Sequence, residues 1–215
     1  MAVIKSGEGS DNQLIIDSPS SAMRVAYYGR DGIVDPPLTF TAGNPVGAGF
    51  TPPATPTDMF AIAGAPGAII YVTRVCISSI QTTAGINAFF LIKRSRADQA
   101  GTFTNPTPVH AGANNLVQAN ATIYQYSANP TSLGTSLGNI WSGLVQSPAS
   151  ATAICGVGGV QIDFLIGYGC PVVLRGPNEW LAVNFAGAAL PAGMAVSCFI
   201  QWHEYPLRFH PTLYL

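Results

Sequence analysis

Along most of the chain apolar and polar residues alternate with a period of two, and Gly, Pro, Asn or Ser breaks each run. Side chains of a strand point to alternate faces, so this pattern predicts half-buried β-strands. The longest run, Ala68–Ile80, sets Ile69, Tyr71, Thr73, Val75 and Ile77 against Ile70, Val72, Arg74 and Cys76. Ile86–Arg94 is a second apolar run. Leu116–Ser127 places Val117, Ala119, Ala121, Ile123 and Gln125 on one face, with Gln118, Asn120, Thr122, Tyr124 and Tyr126 on the other. Pro171–Arg175 is short, and Glu179–Phe185 aligns Leu181, Val183 and Phe185. Met194–Glu204 aligns Met194, Val196, Cys198, Ile200 and Trp202 opposite Ser197, Gln201 and His203. No window predicts a helix longer than a turn or two.

Three zones follow. Residues 1–35 hold two short strand candidates, Leu14–Asp17 and Arg24–Tyr28, and read as an extended N-terminal arm. Residues 36–57 are rich in Pro, Gly and Thr and read as a linker with little to pack. Residues 58–215 form the body, ending in an apolar tail that Pro206 and Pro211 keep from being helical. Eight or so strands with long, irregular connections predict an all-β fold. Its expected form is an antiparallel β-sandwich of jelly-roll type, ahead of an immunoglobulin-like sandwich, for which a Cys…Trp…Cys pattern is missing.

Charge changes the picture. Only 9% of residues are charged, where about 25% is usual for a soluble domain. No Asp, Glu, Lys or Arg stands between Asp98 and Asp163. An uncharged polar surface is cheap to bury against a partner, because no ion has to be stripped of water. This predicts extensive interfaces, with a second copy of the chain as the first partner. The net charge is −1 and the nearest basic group is Lys93, Arg94 and Arg96, so nucleic acid is not expected as a partner. Apolar stretches fall well short of roughly 18 residues, so no membrane partner is expected. Met1–Ser10 does not have the form of a signal peptide. Cys76, Cys155, Cys170 and Cys198 are widely spaced without a CxxC, and reduced thiols are expected.

Candidate chemistry is sparse. No GxSxG occurs, and Ser20-Ser21 and Ser78-Ser79 have no neighbouring His. His203, Glu204 and His210 lie near one another in sequence, but two His and one carboxylate on a tail make a poor metal set. Glu179 and Glu204, at the ends of neighbouring strand candidates, are the best carboxylate pair, and an exposed sheet rim is their plainer explanation. Gly156-Val157-Gly158-Gly159 lacks the Lys and helix of a phosphate loop. No catalytic residue, metal or cofactor is expected.

Several segments carry a resemblance. Ile4–Gly7, Ser10-Asp11, Leu14–Asp17, Ser21–Val25 and Tyr28 resemble the N-terminal arm of tailed-phage structural proteins. Lys93–Ser95, Tyr124–Gly134 and Glu179–Asn184 resemble phage virion proteins with a TNF-like jelly roll. The resemblance implies a trimer on a phage particle, assembled in the host bacterial cytoplasm. The expected function is therefore a non-enzymatic capsid decoration or cement protein that binds the major capsid protein or other virion proteins. The alternative is a neck or tail protein whose segments Gly101–Asn115 and Leu133–Ser147, with Trp141, recognise a host glycan or protein. Attachment is expected from Leu14, Ile16, Arg24, Val25 and Tyr28, and self-association from Tyr124, Tyr126, Trp202, Phe209 and Tyr214.

Overall fold

A computed structural model describes residues 2–5, 13–16, 23–26, 38–44, 51–53, 57–111, 117–149, 159–186 and 190–206. The chain divides into two compact units, Met1–Pro37 and Leu38–Leu215.

The first unit is an antiparallel meander of three four-residue strands: β1 (Ala2–Lys5), β2 (Gln13–Ile16) and β3 (Met23–Ala26), in the order β1-β2-β3. Its register sets Ile4 opposite Leu14 and Leu14 opposite Val25.

The second unit is an antiparallel β-sandwich, as the alternation predicted. Its strands are β4 (Leu38–Gly43), β5 (Asp58–Ala63), β6 (Ala68–Ile80), β7 (Gly85–Arg94), β8 (Phe103–Thr104), β9 (Val109–His110) and β10 (Thr122–Tyr126). There follow β11 (Ser136–Ser147), β12 (Gly159–Asp163), the single helical turn α1 (Phe164–Gly167), β13 (Val172–Leu174), β14 (Trp180–Phe185) and β15 (Ala195–Pro206). One sheet has the order β11-β7-β14-β5-β10-β8; the other has the order β12-β6-β15-β4-β9, with β13 also paired to β6. Between them lies one core containing Phe40, Phe60, Ile70, Val75, Phe89, Leu91, Leu181, Val183, Ile200 and Trp202. Burying each such side chain contributes about 1.5–3 kcal/mol, which is what holds the sheets together. At one end Ser79 and Ser147 hydroxyls meet at 2.5 Å, and Asn87 donates to Ser147 and to Gln81, so even the polar interior bridges the sheets.

Four differences from the sequence reading matter. Leu38–Gly43 is not linker: it is a strand paired to β15, with Phe40 and Ala42 in the core. Its Leu-Thr-Phe-Thr-Ala alternation was hidden by the prolines and glycines around it. Ser136–Ser147, expected as a loop, is a twelve-residue strand on the edge of its sheet. Two register shifts against β7 and a left-handed Gly138 (φ 133°) broke the pattern by which strands are recognised. Asp58–Ala63, left unassigned, is buried at all six positions and so has no polar alternation to read. Finally, β6 does not alternate strictly. A register shift opposite Gln201 and Trp202 inserts Thr73, so Ile70 and Val72 face the core and then Val75 and Ile77 do. The outward positions are therefore Tyr71 and, beyond the bulge, Arg74, Cys76 and Ser78.

Candidate assembly surface

On the outward face of the β11-β7-β14-β5-β10-β8 sheet the chain's own loops lie over β5, β10 and β14, while Ile86 on β7 and Leu144 on β11 are exposed. Ala61, Ala63, Trp180 and Ala182 form a second buried cluster there, with Ala97 and Tyr124 packed on it. The small alanines let Trp180 lie flat, and Tyr124 stacks on its ring at 4.6 Å. Beside them sits an ionic cluster. The Arg94 guanidinium holds the Asp58 carboxylate through Nε and through Nη2 at 2.6 Å, and Asn184 Nδ2 donates to Asp58 at 2.7 Å. Arg94 Nη1 donates to the Gly134 carbonyl at 2.7 Å, and the Gly134 amide donates to Asp98 at 2.8 Å. A Cβ at Gly134 would collide with the Arg96 carbonyl, so only glycine lets the two loops close. Segments 95–101 and 128–135 are joined by Ser95 N–H to Thr135 O, Gln99 N–H to Ser132 O and Thr131 N–H to Gln99 O. Asp98 keeps Oδ2 without a hydrogen-bond partner. Burial, and then the neighbouring Asp58 charge, push its carboxyl up to about 6. Burial and the same two carboxylates push the Tyr126 phenol up as well.

Among the described residues no loop is folded down over the outward face of the other sheet in this way. That face presents Tyr71, Arg74, Cys76, Ser78 and Ile80 on β6, Ser197, Phe199, Gln201, His203 and Tyr205 on β15, and Thr39 and Thr41 on β4. All are half-buried or exposed. The outward residues of β12, β6, β15 and β4 include one ion pair, Arg74 to Asp163 at 3.0 Å, and otherwise no Asp, Glu, Lys or Arg. Amides of Ile166 and Leu165 and the Arg74 guanidinium hold the Asp163 carboxyl below its ordinary value. Burial lowers the His203 imidazole, so it is neutral at pH 7. Tyr71 and Tyr205 meet edge to face at 5.1 Å. Two shallow hollows lie on this face, one of about 280 Å³ near Cys76 and Phe199, the other of about 320 Å³ near Tyr71 and His203.

The carboxylates weighed for catalysis have structural partners. Glu204 is buried and accepts from Asn120 N and Nδ2, Ala121 N and Trp202 Nε1, all within 3.1 Å. It pins the strand entering β10 onto β15. Glu179 pairs with Lys93 Nζ at 2.9 Å and accepts from Arg175 N. Burial pushes its carboxyl up, but Lys93 and the Arg175 amide outweigh that and hold it below the ordinary value. No group of three His, Cys, Asp or Glu that could hold a metal occurs among the described residues.

The residues expected to mediate assembly fall in different places. Leu14, Ile16, Arg24 and Val25 lie in β2 and β3. Tyr28, Phe209 and Tyr214 lie outside the described residues. Trp202 is 0% exposed in the core and Tyr126 is 1% exposed beneath the loop cover. Neither side chain is available to a second copy, which corrects that expectation: alternation identifies a face, and Trp202 is on the inner one. Tyr124 is half-buried against Trp180. Trp141 is half-buried and packs partly against the core. The outward set on β15, Ser197, Gln201 and His203, was legible from alternation; Cys76 and Ser78 were not, because the bulge at Thr73 reverses their face.

The chain matches no family model, no curated protein and no solved structure.

Proposed function

We propose that this chain is a non-enzymatic structural component of a bacteriophage virion, a capsid decoration or cement protein that self-associates as a homotrimer. The observation that carries the self-association is the open sheet. It offers a broad surface with one internally neutralised ion pair and several half-exposed aromatic residues, while the opposite sheet is covered by the chain's own loops over β5, β10 and β14. Such a surface loses little on desolvation and gains about 25 cal/mol per Å² of apolar area buried. The placement on a phage particle is supported by the sequence resemblance of the arm and of the Tyr124–Gly134 and Glu179–Asn184 segments. A jelly-roll topology is supported by the order of the strands: β4, β5, β6 and β7 alternate between the sheets, as do β13, β14 and β15. The separate β1-β2-β3 unit suits an attachment arm, whose strands could pair with a shell protein's sheet edge.

Size-exclusion chromatography with light scattering, at low and high salt, tests the assembly. A salt-resistant trimer is expected; a monomer at both salts overturns it. Co-sedimentation with phage heads lacking the protein tests the location, and removal of residues 1–35 is expected to abolish it. The second reading, a neck or tail protein recognising a host glycan or protein, is favoured by Phe103 and Val109, which are 43% and 54% exposed on the short strands β8 and β9. Binding of the purified chain to host cells, lost on Phe103→Ala, would select it.

A further inference from the structure

Beneath the loop cover one cation faces two carboxylates. The Asp58 and Asp98 side chains are 0% exposed and that of Arg94 is 5% exposed. The Arg94 donors are already engaged, Nε and Nη2 with Asp58 and Nη1 with the Gly134 carbonyl. Arg94 Nε stands 3.9 Å from Asp98 Oδ1, too far for a hydrogen bond. Asp98 Oδ1 accepts from the Gly134 amide, and Oδ2 has no partner among the described residues. With both carboxylates ionised, the cluster holds an uncompensated negative charge away from water, which is costly. One added proton neutralises it and turns an idle Asp98 acceptor into a donor. The titratable groups facing Asp98 are Asp58 on β5, Arg94 on β7 and the Tyr126 phenol on β10. The Asp58 carboxylate and the phenol oxygen are both acceptors for that hydrogen.

Asp98 stands in a segment that is held in place by its contacts. Ala100 has φ 55° and Gly101 φ 98°. The left-handed region is unfavourable for a residue with a Cβ such as Ala100. Segment 95–101 is retained by its hydrogen bonds to segment 128–135 and by Ala97, which packs on the Ala61, Ala63, Trp180 and Ala182 cluster. Asp98 binds the Gly134 amide while Arg94 binds the Gly134 carbonyl, so both segments meet the buried ions at one residue.

We propose that segments 95–101 and 128–135 are a proton-operated cover, closed over Trp180 and its alanines while Asp98 holds a proton and released when Asp98 ionises. Opening brings Asp98 into water, where it gives the proton up. The proton is thus a ligand of the closed form, and opening becomes easier as pH rises. In the closed form the carboxyl titrates at about 6, and in the open form it returns towards 3.8. The opening constant climbs between those values and levels off above them. Opening uncovers the Trp180 ring, which is 4% exposed when closed, and the alanines around it. The device belongs to the sandwich itself, whatever the chain assembles with.

Amide hydrogen exchange of the full-length protein tests it, at pH 5 and pH 7, with intrinsic exchange rates divided out. The amides of Ser95, Gln99, Thr131 and Gly134, all bonded within the cover, are expected to be less protected than those of β15. They are expected to lose about tenfold in protection between pH 5 and pH 7. Asp98→Asn is neutral at both pH values, keeps an oxygen for the Gly134 amide and offers an N–H to Asp58. In that variant the loss is expected to vanish, with the cover protected at pH 7 as at pH 5. Cover amides as protected as β15, protection that does not change with pH, or an equal loss in Asp98→Asn overturns the proposal. If Asp98→Asn does not fold, the wild-type carboxyl decides. NMR titration of the Asp98 carboxyl carbon is expected to give a midpoint near 6, with the loss of cover protection levelling off above it. A midpoint at the ordinary 3.8 overturns the cover.

Discussion

The two sheets share one core and differ in what lies on their backs. Behind the β5-β14 strands the chain folds its own loops down over alanines, Trp180 and a buried Arg94–Asp58–Asp98 cluster. Behind β6 and β15 no described segment does the same, and Tyr71, Phe199, Gln201 and Tyr205 remain at the surface. Buried charge is the tell. Where the chain covers a face itself, it can hold ions in fixed geometry, because the partners are covalently close and always present. On a face proposed to meet a separate molecule, ions would have to be dehydrated at each encounter, which fits the single ion pair there.

The largest effect is expected at the covered back. Arg94→Met leaves Asp58 and Asp98 buried without their cation, and is expected to cost about 3–5 kcal/mol in urea unfolding. A loss under 1 kcal/mol would mean that the cover is an ornament on the sandwich. Next comes Glu204→Gln, which weakens the bonds from Asn120 and Ala121 and is expected to cost about 1–3 kcal/mol. Limited proteolysis should then cut near residues 117–121, which wild-type protein resists.

The covered back also sets the pH dependence. Asp98 is raised from 3.8 to about 6, so the folded state holds a proton that the unfolded state has released between those values. Its contribution is therefore fully present below 3.8 and lost as pH rises through about 6. Glu179 and Asp163 are lowered, so theirs is present above their ordinary range and lost as pH falls through their folded values. Stability is expected to fall, on the order of 1–2 kcal/mol, between pH 5 and pH 7.5, and Asp98→Asn should flatten that slope in thermal scans. A slope unchanged in Asp98→Asn assigns it elsewhere. The smallest effect on folding is expected on the open back. Gln201→Lys should change monomer unfolding by less than about 0.5 kcal/mol, yet disrupt self-association. A variant that unfolds the chain instead would show that this face is already covered.

Much of the sandwich was legible because its strands bury one side only. Val196, Cys198, Ile200 and Trp202 facing in, with Ser197, Gln201 and His203 facing out, follow from alternation alone. Legibility failed wherever that premise did. β5 is buried on both sides, so it lacks a polar phase; β11 is bulged, so its phase slips; β4 is short and flanked by prolines. Two of the expected self-association residues, Tyr126 and Trp202, failed for a related reason. An aromatic side chain is attractive both to a partner and to the protein's own interior, and composition does not say which. Tyr126 and Trp202 went inward, while Ile166 went outward on a turn whose anchor, Phe164, lies two residues away.

By itself the sequence determined an all-β chain of scarce charge, because period-two burial and the near-absence of ions between Asp98 and Asp163 are local properties. Only the tertiary structure decided which strands are covered on their backs by the chain's own loops. That depends on contacts between residues far apart in sequence, such as Asp58 with Arg94 and Asn184, or Glu204 with Asn120. Carboxylates that read as candidate acids along the chain become internal fastenings once folding brings their donors to them.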